Sequence, residues 1–110
     1  MKIYLASPYS NKNATVMAQK FRAACDAAAE LMVDGHIVFS PIAHSHPIAT
    51  SNQLPLGFEY WQKMNHSFID WCDAVYVLKI KGWRESKGVA DEIAYANWMK
   101  KPVVYFGDCD

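Results

Sequence analysis

The chain has 110 residues, 52% of them hydrophobic, and its 11 Lys and Arg balance 11 Asp and Glu to a formal net charge of zero. This length suits a single domain with one hydrophobic core, predicted here to span residues 1–110. The charge balance gives no sign of a nucleic-acid or membrane partner, and no apolar run approaches the roughly 18 residues of a membrane span.

The first half of the chain predicts a strand, a long helix and a second strand. Residues 3–6 form a short apolar run that the turn at residues 7–11 interrupts. Apolar residues then recur at helical spacing from Ala14 to Met32, and Gly35 suits the left-handed position that follows a helix C-cap. Residues 36–40 predict the second strand.

Residues 41–57 contain three prolines and little periodicity, which predicts a long loop. A second amphipathic helix follows over residues 61–72, and strands are predicted at residues 74–78 and 102–106 with a helix between them. Near-continuous apolar strands that alternate with helices indicate an α/β protein, with a parallel sheet covered by helices on both faces. The sequence pattern predicts four strands, and the long loop has room for a fifth.

Ligands of such sheets bind beyond the carboxyl ends of the strands. Three segments fall there: residues 7–11, the loop that starts at Ser40, and residues 79–88. The third segment contains several cationic side chains and leads into a helix for which Ser86 is the predicted N-cap. Free backbone N–H groups at that terminus suit an anion, although a polar turn with a capping serine fits the same pattern.

Glu92 shares the apolar stripe of this helix with Val89, Ile93, Ala96 and Met99. Ionised glutamate is rarely buried without a partner or a chemical role, so an inward Glu92 is a candidate catalytic carboxylate. Its neighbour Asp91 is predicted to point elsewhere and to be a solvated acid.

Asn65 lies on the inward face of the second predicted helix, beside Trp61 and Phe68. A buried amide needs hydrogen-bond partners, which either a ligand or the backbone near a strand end can supply. His44 and His46 would share one side of an extended segment. A metal site, the wall of a substrate pocket and plain loop histidines are all compatible with this pair. Among the tryptophans, Trp83 in the loop is the one expected to line a pocket.

Several stretches together resemble the nucleoside 2-deoxyribosyltransferase superfamily, and most of all a compact bacterial and phage branch of unknown function. They are IYLASPYS at the start, SPIAHSHPI after the second strand, WCDAVYVL, and GWRESKGVADE. The resemblance covers nearly the whole chain and is most specific in the last stretch. It implies a three-layer flavodoxin-like fold and cleavage of an N-glycosidic bond, without a cofactor or a metal.

The resemblance also implies roles for individual residues. Glu92 matches the nucleophile that forms a covalent glycosyl-enzyme intermediate, and Tyr4 matches a tyrosine that orients it. Ser86 matches a serine that holds a 5′-phosphate, in the stretch that includes Gly88. The turn of Ser7, Pro8, Tyr9 and Ser10 would contact the phosphate or the sugar. Independently of the resemblance, His46 is a candidate for the wall of a substrate pocket.

In one position the chain departs from the superfamily. Relatives carry an aspartate that contacts the base and assists its departure, and Asn65 stands there instead. An amide hydrogen-bonds a base but cannot protonate it, and general acid catalysis is typically worth about 10²- to 10⁴-fold. A base that leaves easily, another proton donor, or binding without turnover would each account for Asn65.

Two hypotheses of function follow. The first is an N-glycosidase or deoxyribosyltransferase that acts on a nucleoside or a nucleoside 5′-monophosphate. The alternative is a nucleotide-binding or sensor protein on the same fold. A homodimer or larger homo-oligomer is expected from the resemblance. The three cysteines are widely spaced without a CxxC pair, and the N-terminus lacks the apolar core of a signal peptide, so a cytoplasmic location is expected.

Overall fold

A computed structural model describes residues 1–109. Its elements in chain order are β1 (Lys2–Ala6), α1 (Ala14–Val33), β2 (Ile37–Phe39), α2 (Pro41–Asn52), α3 (Phe58–Trp71), β3 (Ala74–Leu78), α4 (Lys87–Trp98) and β4 (Val103–Phe106). The four strands form one parallel sheet in the order β2-β1-β3-β4. This is the flavodoxin-like order, in which the chain winds in opposite directions from β1 and from β3. The predicted α/β class and parallel sheet are confirmed.

The core has two halves, one on each face of the sheet. Successive strand residues point to opposite faces, so Ile3 and Leu5 pack against α1 whereas Tyr4 and Ala6 face α3 and α4. The α1 half also contains Ala27, Ala28, Leu31 and Leu78. The other half contains Ile69, Cys72, Val75, Val77, Trp83, Val89 and Ala96. The result is the three-layer arrangement expected from the sequence.

The prediction of a long loop at residues 41–57 is wrong, because residues 41–52 form α2. The Ser40 hydroxyl accepts a hydrogen bond from the Ala43 backbone N–H at 3.1 Å, and Pro41 occupies the first helical positions, where its fixed φ favours a helix. Pro47 lies inside α2, and because a proline usually interrupts a helix, its presence argued against a helix in spite of this start signal. Gln53 ends the helix in the left-handed conformation, and the described residues contain no fifth strand.

The other elements lie close to their predicted bounds. Asn13 caps α1 by accepting hydrogen bonds from the backbone N–H groups of Thr15 and Val16, and Gly35 follows the helix with φ +96°. Ser86 caps α4 by accepting from Val89 N–H at 3.2 Å, as predicted. Within residues 1–109, no helix combines the length and the apolar character that crossing a membrane requires.

Candidate active site

A cavity of about 430 Å³ opens at the carboxyl ends of the strands, within the size range of small-molecule sites. Its walls come from the segments that follow β1, β2 and β3, which meet where the direction of winding reverses. Eight residues singled out from the sequence line it: Ser7, Tyr9, Ser10, His46, Asn65, Ser86, Gly88 and Glu92.

Glu92 is 5% exposed and accepts a short hydrogen bond from the Tyr4 hydroxyl, which is fully buried in β1. Burial raises the pKa of Glu92 to about 8, and nearby Asp91 acts in the same direction, whereas the hydrogen bond from Tyr4 lowers it. Burial and the Glu92 charge raise the pKa of Tyr4 well above its usual value, so Tyr4 remains a donor. Glu92 lies in the second turn of α4, beyond the reach of the field at the helix N-terminus. That field therefore does not offset the effect of desolvation on the Glu92 pKa.

Asp91 also lines the cavity, so the prediction of a solvated acid that points away is wrong. Its Oδ1 accepts a hydrogen bond from Gln62 Nε2 at 2.7 Å, and its Oδ2 lies 2.8 Å from His66 Nε2. Gln62 and His66 are one helical turn apart on α3 and hold this carboxylate from one side. The ring of His66 stacks on Tyr95, with 3.8 Å between centroids. The sequence shows that the two acids are neighbours, but it does not show that α3 packs against Asp91.

Two polar atoms on the cavity wall are buried without a protein partner. They are the Ser7 hydroxyl oxygen, in a residue only 4% exposed, and Asn65 Oδ1. Buried polar groups are nearly always hydrogen-bonded, and a group left open toward a cavity indicates a ligand contact. The backbone partner that was the alternative for this Asn65 oxygen is not present.

The opposite wall contains a packed aromatic group. Tyr9 hydroxyl lies 2.5 Å from His46 Nδ1, and the His46 ring stacks on Phe21 with 4.4 Å between centroids. Burial lowers the pKa of His46, which favours the neutral ring. Because α2 is helical, His44 points away from His46 and lies beside Phe39, so the two do not share one side. Within residues 1–109, no group of three or more His, Cys, Asp or Glu side chains is placed to hold a metal ion.

Three expectations about the lining need correction. Trp83 is not in the cavity wall. It is 9% exposed and packs in the core beside Tyr105, because Ile80 and Gly82 turn the loop back over the sheet. Pro8 is fully buried beneath the wall. Of the loop cations, only Lys87 lines the cavity, since the Arg84 guanidinium lies over the Trp83 ring at 4.6 Å from its centroid.

The fold is that of a flavodoxin-like α/β protein, and the cavity at the switch point of its sheet is a candidate small-molecule site. Residues 1–108 match the family described as a domain of unknown function (DUF1937), and the chain belongs to that family. It also resembles a solved 2-deoxyribosyltransferase from Bacillus psychrosaccharolyticus, with 28% sequence identity and a TM-score of 0.67. That likeness covers 99% of this chain and 74% of the other. Among curated proteins, none matches the chain.

Proposed function

We propose that this protein cleaves the N-glycosidic bond of a nucleoside or nucleoside 5′-monophosphate through a covalent glycosyl intermediate on Glu92. The buried pairing of Tyr4 with Glu92 at the cavity wall is the observation that carries the proposal. In its ionised form, a carboxylate removed from water and held by one donor is a preorganised nucleophile. The likeness to a 2-deoxyribosyltransferase supports the same class of substrate.

In the first step, the Glu92 carboxylate attacks C1′ of the sugar as the bond from C1′ to the base breaks. Tyr4 fixes the orientation of the attacking carboxyl group through its hydrogen bond to Oε2. In the second step, water or a second base attacks C1′ and releases Glu92. Water gives hydrolysis and a base gives transfer, and both retain the configuration at C1′.

Asn65 and Ser7 are proposed to bind the substrate, because each presents an unpaired polar atom at the wall. The α4 N-terminus, with Ser86, Lys87 and Gly88, is proposed to hold a 5′-phosphate. A Cβ on Gly88 would lie 3.3 Å from Phe58 Cβ, so this turn of α4 packs closely against the start of α3. The turn from Ser7 to Ser10 is proposed to contact the same end of the substrate.

A second function is binding without turnover, as in a nucleotide sensor. Asn65 favours it, because the amide cannot protonate a departing base. The two functions share the cavity and differ only in whether base is released.

The test is chromatographic detection of free base after incubation with ribo- and deoxyribonucleosides and their 5′-monophosphates. The parent protein and Glu30→Gln, which makes the same change at an exposed site on α1, are expected to release base. Glu92→Gln is expected to release none. Release by Glu92→Gln would exclude the covalent mechanism, and ligands that raise the melting temperature without release would favour the binding function.

We also propose that the protein self-associates. Val33 is 87% exposed, Trp98 80% and Ile37 63%, and burial of such apolar side chains against a second copy of the chain would favour association. Light scattering at micromolar concentration is expected to give at least twice the 12.5 kDa chain mass. A monomer under those conditions would contradict the proposal.

A further inference from the structure

The cavity wall is strongly acidic. Among the described residues that line it are four acids, Glu59, Glu85, Asp91 and Glu92, and a single lysine, Lys87. Glu59 and Glu85 are exposed at the rim, whereas Asp91 is partly buried and Glu92 is buried. The excess of carboxylates over the single lysine favours a ligand that carries a positive charge, whereas a 5′-phosphate is held locally by the α4 N-terminus and Lys87 in the proposed function.

The lining residues that the structure describes include few candidates for protonating a departing base. His46 Nδ1 lies 2.5 Å from the Tyr9 hydroxyl, and burial lowers the pKa of His46 and favours its neutral ring. Asn65 is an amide and cannot act as an acid. Asp91 uses both of its oxygens to accept hydrogen bonds from Gln62 and His66, so its carboxyl group is engaged with α3. Glu92 is the nucleophile in the proposed mechanism, and Tyr4 donates to it. A neutral purine or pyrimidine that leaves as an anion would therefore depart slowly.

The unpaired atoms indicate which contacts the ligand makes. Asn65 Oδ1 is an acceptor that lacks a donor, which suits an amide or amino N–H on a base. The Ser7 hydroxyl, 4% exposed and also unpaired, can donate to or accept from the same ligand. Neither atom requires a charged partner, so the charge preference comes from the surrounding carboxylates.

We infer that the substrate is a nucleoside, or its 5′-monophosphate, whose base carries a permanent positive charge on the ring, such as an N-alkylated purine or a pyridinium carboxamide. This inference rests on the proposed N-glycosidic cleavage and names the class of base. Such a base leaves as a neutral molecule and needs no proton, which explains how a site with Asn65 can turn over its substrate.

The chemical step balances without a co-reactant other than water. Glu92 forms a bond to C1′ as the C1′–N bond breaks, and the electron pair of that bond neutralises the ring nitrogen. Water then attacks C1′, the bond to Glu92 breaks, and the carboxylate is regenerated. The net reaction converts cationic nucleoside and water into sugar, neutral base and one proton.

The cation also assists the nucleophile. Burial holds the pKa of Glu92 near 8, with Asp91 raising it further and Tyr4 opposing. A positive ring beside Glu92 favours its ionised form, so bound substrate prepares the carboxylate for attack. The pH at which kcat rises is therefore expected to lie below the pH at which kcat/KM rises.

The experiment compares matched nucleosides at slightly acidic pH, with free base measured by chromatography and Glu92→Gln as the blank. 7-Methylguanosine is set against guanosine, and nicotinamide riboside against its 5′-monophosphate. The expected result is release from a cationic nucleoside at least about 100-fold faster than from guanosine. Release from 7-methylguanosine would identify a purine cation as the substrate, and release from nicotinamide riboside would identify a pyridinium cation.

Binding to the inactive Glu92→Gln variant gives a second, independent measurement. Nicotinamide riboside is expected to bind at least about tenfold more tightly than its reduced, uncharged dihydropyridine form. Equal affinity for the two forms would overturn the charge preference.

An Asn65→Asp variant tests the missing proton donor directly. It is expected to lower the ratio of cationic to neutral turnover by about 100-fold or more, because only neutral bases benefit from an acid. If the parent protein consumes guanosine as fast as 7-methylguanosine, the inference is wrong and the Glu92 mechanism stands. If no nucleoside of either kind releases base, the proposed cleavage itself fails.

Discussion

Tyr4 and Glu92 are 88 positions apart in the chain and form a buried hydrogen bond between β1 and α4. This bond joins an interior strand of the sheet to the helix that follows the neighbouring strand β3. It fixes where the carboxyl group of Glu92 lies and lowers the pKa of that group, against the larger opposing effect of burial.

Tyr4→Phe is expected to lower kcat/KM about 10- to 100-fold, as expected for the loss of a hydrogen bond to a charged group. The bond from Tyr4 lowers the pKa of Glu92, so its removal raises that pKa. Because the pKa of Glu92 is about 8 in the parent protein, kcat/KM is expected to rise near that pH there and at a higher pH in Tyr4→Phe. Tyr105→Phe makes the same change at a residue 45% exposed on β4 and serves as the control. An unmoved pH profile in Tyr4→Phe would contradict this role.

The stability of the parent protein relative to Glu92→Gln is expected to fall as pH rises. The pKa of Glu92 is about 8 in the folded protein and close to 4.5 when exposed, so the folded state binds more protons between these values. The difference in unfolding free energy between the two proteins is constant at a pH below the lower pKa. It declines by at most about 1.4 kcal/mol per pH unit between the two pKa values, and it is constant again above the higher one.

Urea unfolding of both proteins across this pH range measures that difference. Groups far from Glu92 contribute equally to the two proteins and cancel. A difference that stays constant from acidic to alkaline pH would show that Glu92 ionises freely in the folded state.

His66→Ala is expected to cost about 1–2 kcal/mol of unfolding free energy, because it removes one of the two donors to the partly buried Asp91. Asp91 is 22% exposed, so water replaces the donor only in part. Ser67→Ala on the exposed side of α3 is the control, since the Ser67 hydroxyl contacts only the backbone of its own helix. A loss no larger than that of Ser67→Ala, measured by urea unfolding, would show that the contact is not stabilising.

Ser86→Ala is expected to cost about 1 kcal/mol through loss of the α4 cap and to weaken a 5′-monophosphate more than the matching nucleoside. Asn13→Ala removes the cap of α1 at a residue that does not line the cavity, and gives a matched loss of stability. Calorimetric titration of both ligands into both variants separates the two effects. Equal weakening of nucleotide and nucleoside by Ser86→Ala would remove Ser86 from phosphate binding.

Much of the fold follows from local patterns. β3 occupies residues 74–78 as predicted, because a buried parallel strand is a continuous apolar run between polar breaks. α2 was missed since its apolar residues are weakly periodic and Pro47 resembles a breaker, although Ser40 and Pro41 together are a helix-start signal. Local patterns detect strong periodicity and miss helices that depend on tertiary packing.

The residues of the candidate site also divide into those that local patterns predict and those that they do not. Glu92 was found from its position on an apolar stripe, and Ser86 from its position before a helix, because both are local relationships. Asp91 and Trp83 were placed wrongly, since the side on which each lies depends on α3 and on the path of the loop over the sheet.

The sequence by itself therefore determined the strands, most helices and the carboxylate at the centre of the site. Tyr4 was expected beside that carboxylate from the family resemblance. Only the tertiary structure decided what else surrounds it: the hydrogen bonds that hold Asp91, the unpaired atoms of Asn65 and Ser7, and the acidic wall. The physical reason is that periodicity and capping act within a few residues. Burial, desolvation and the charge of a cavity arise only when segments far apart in the chain pack together.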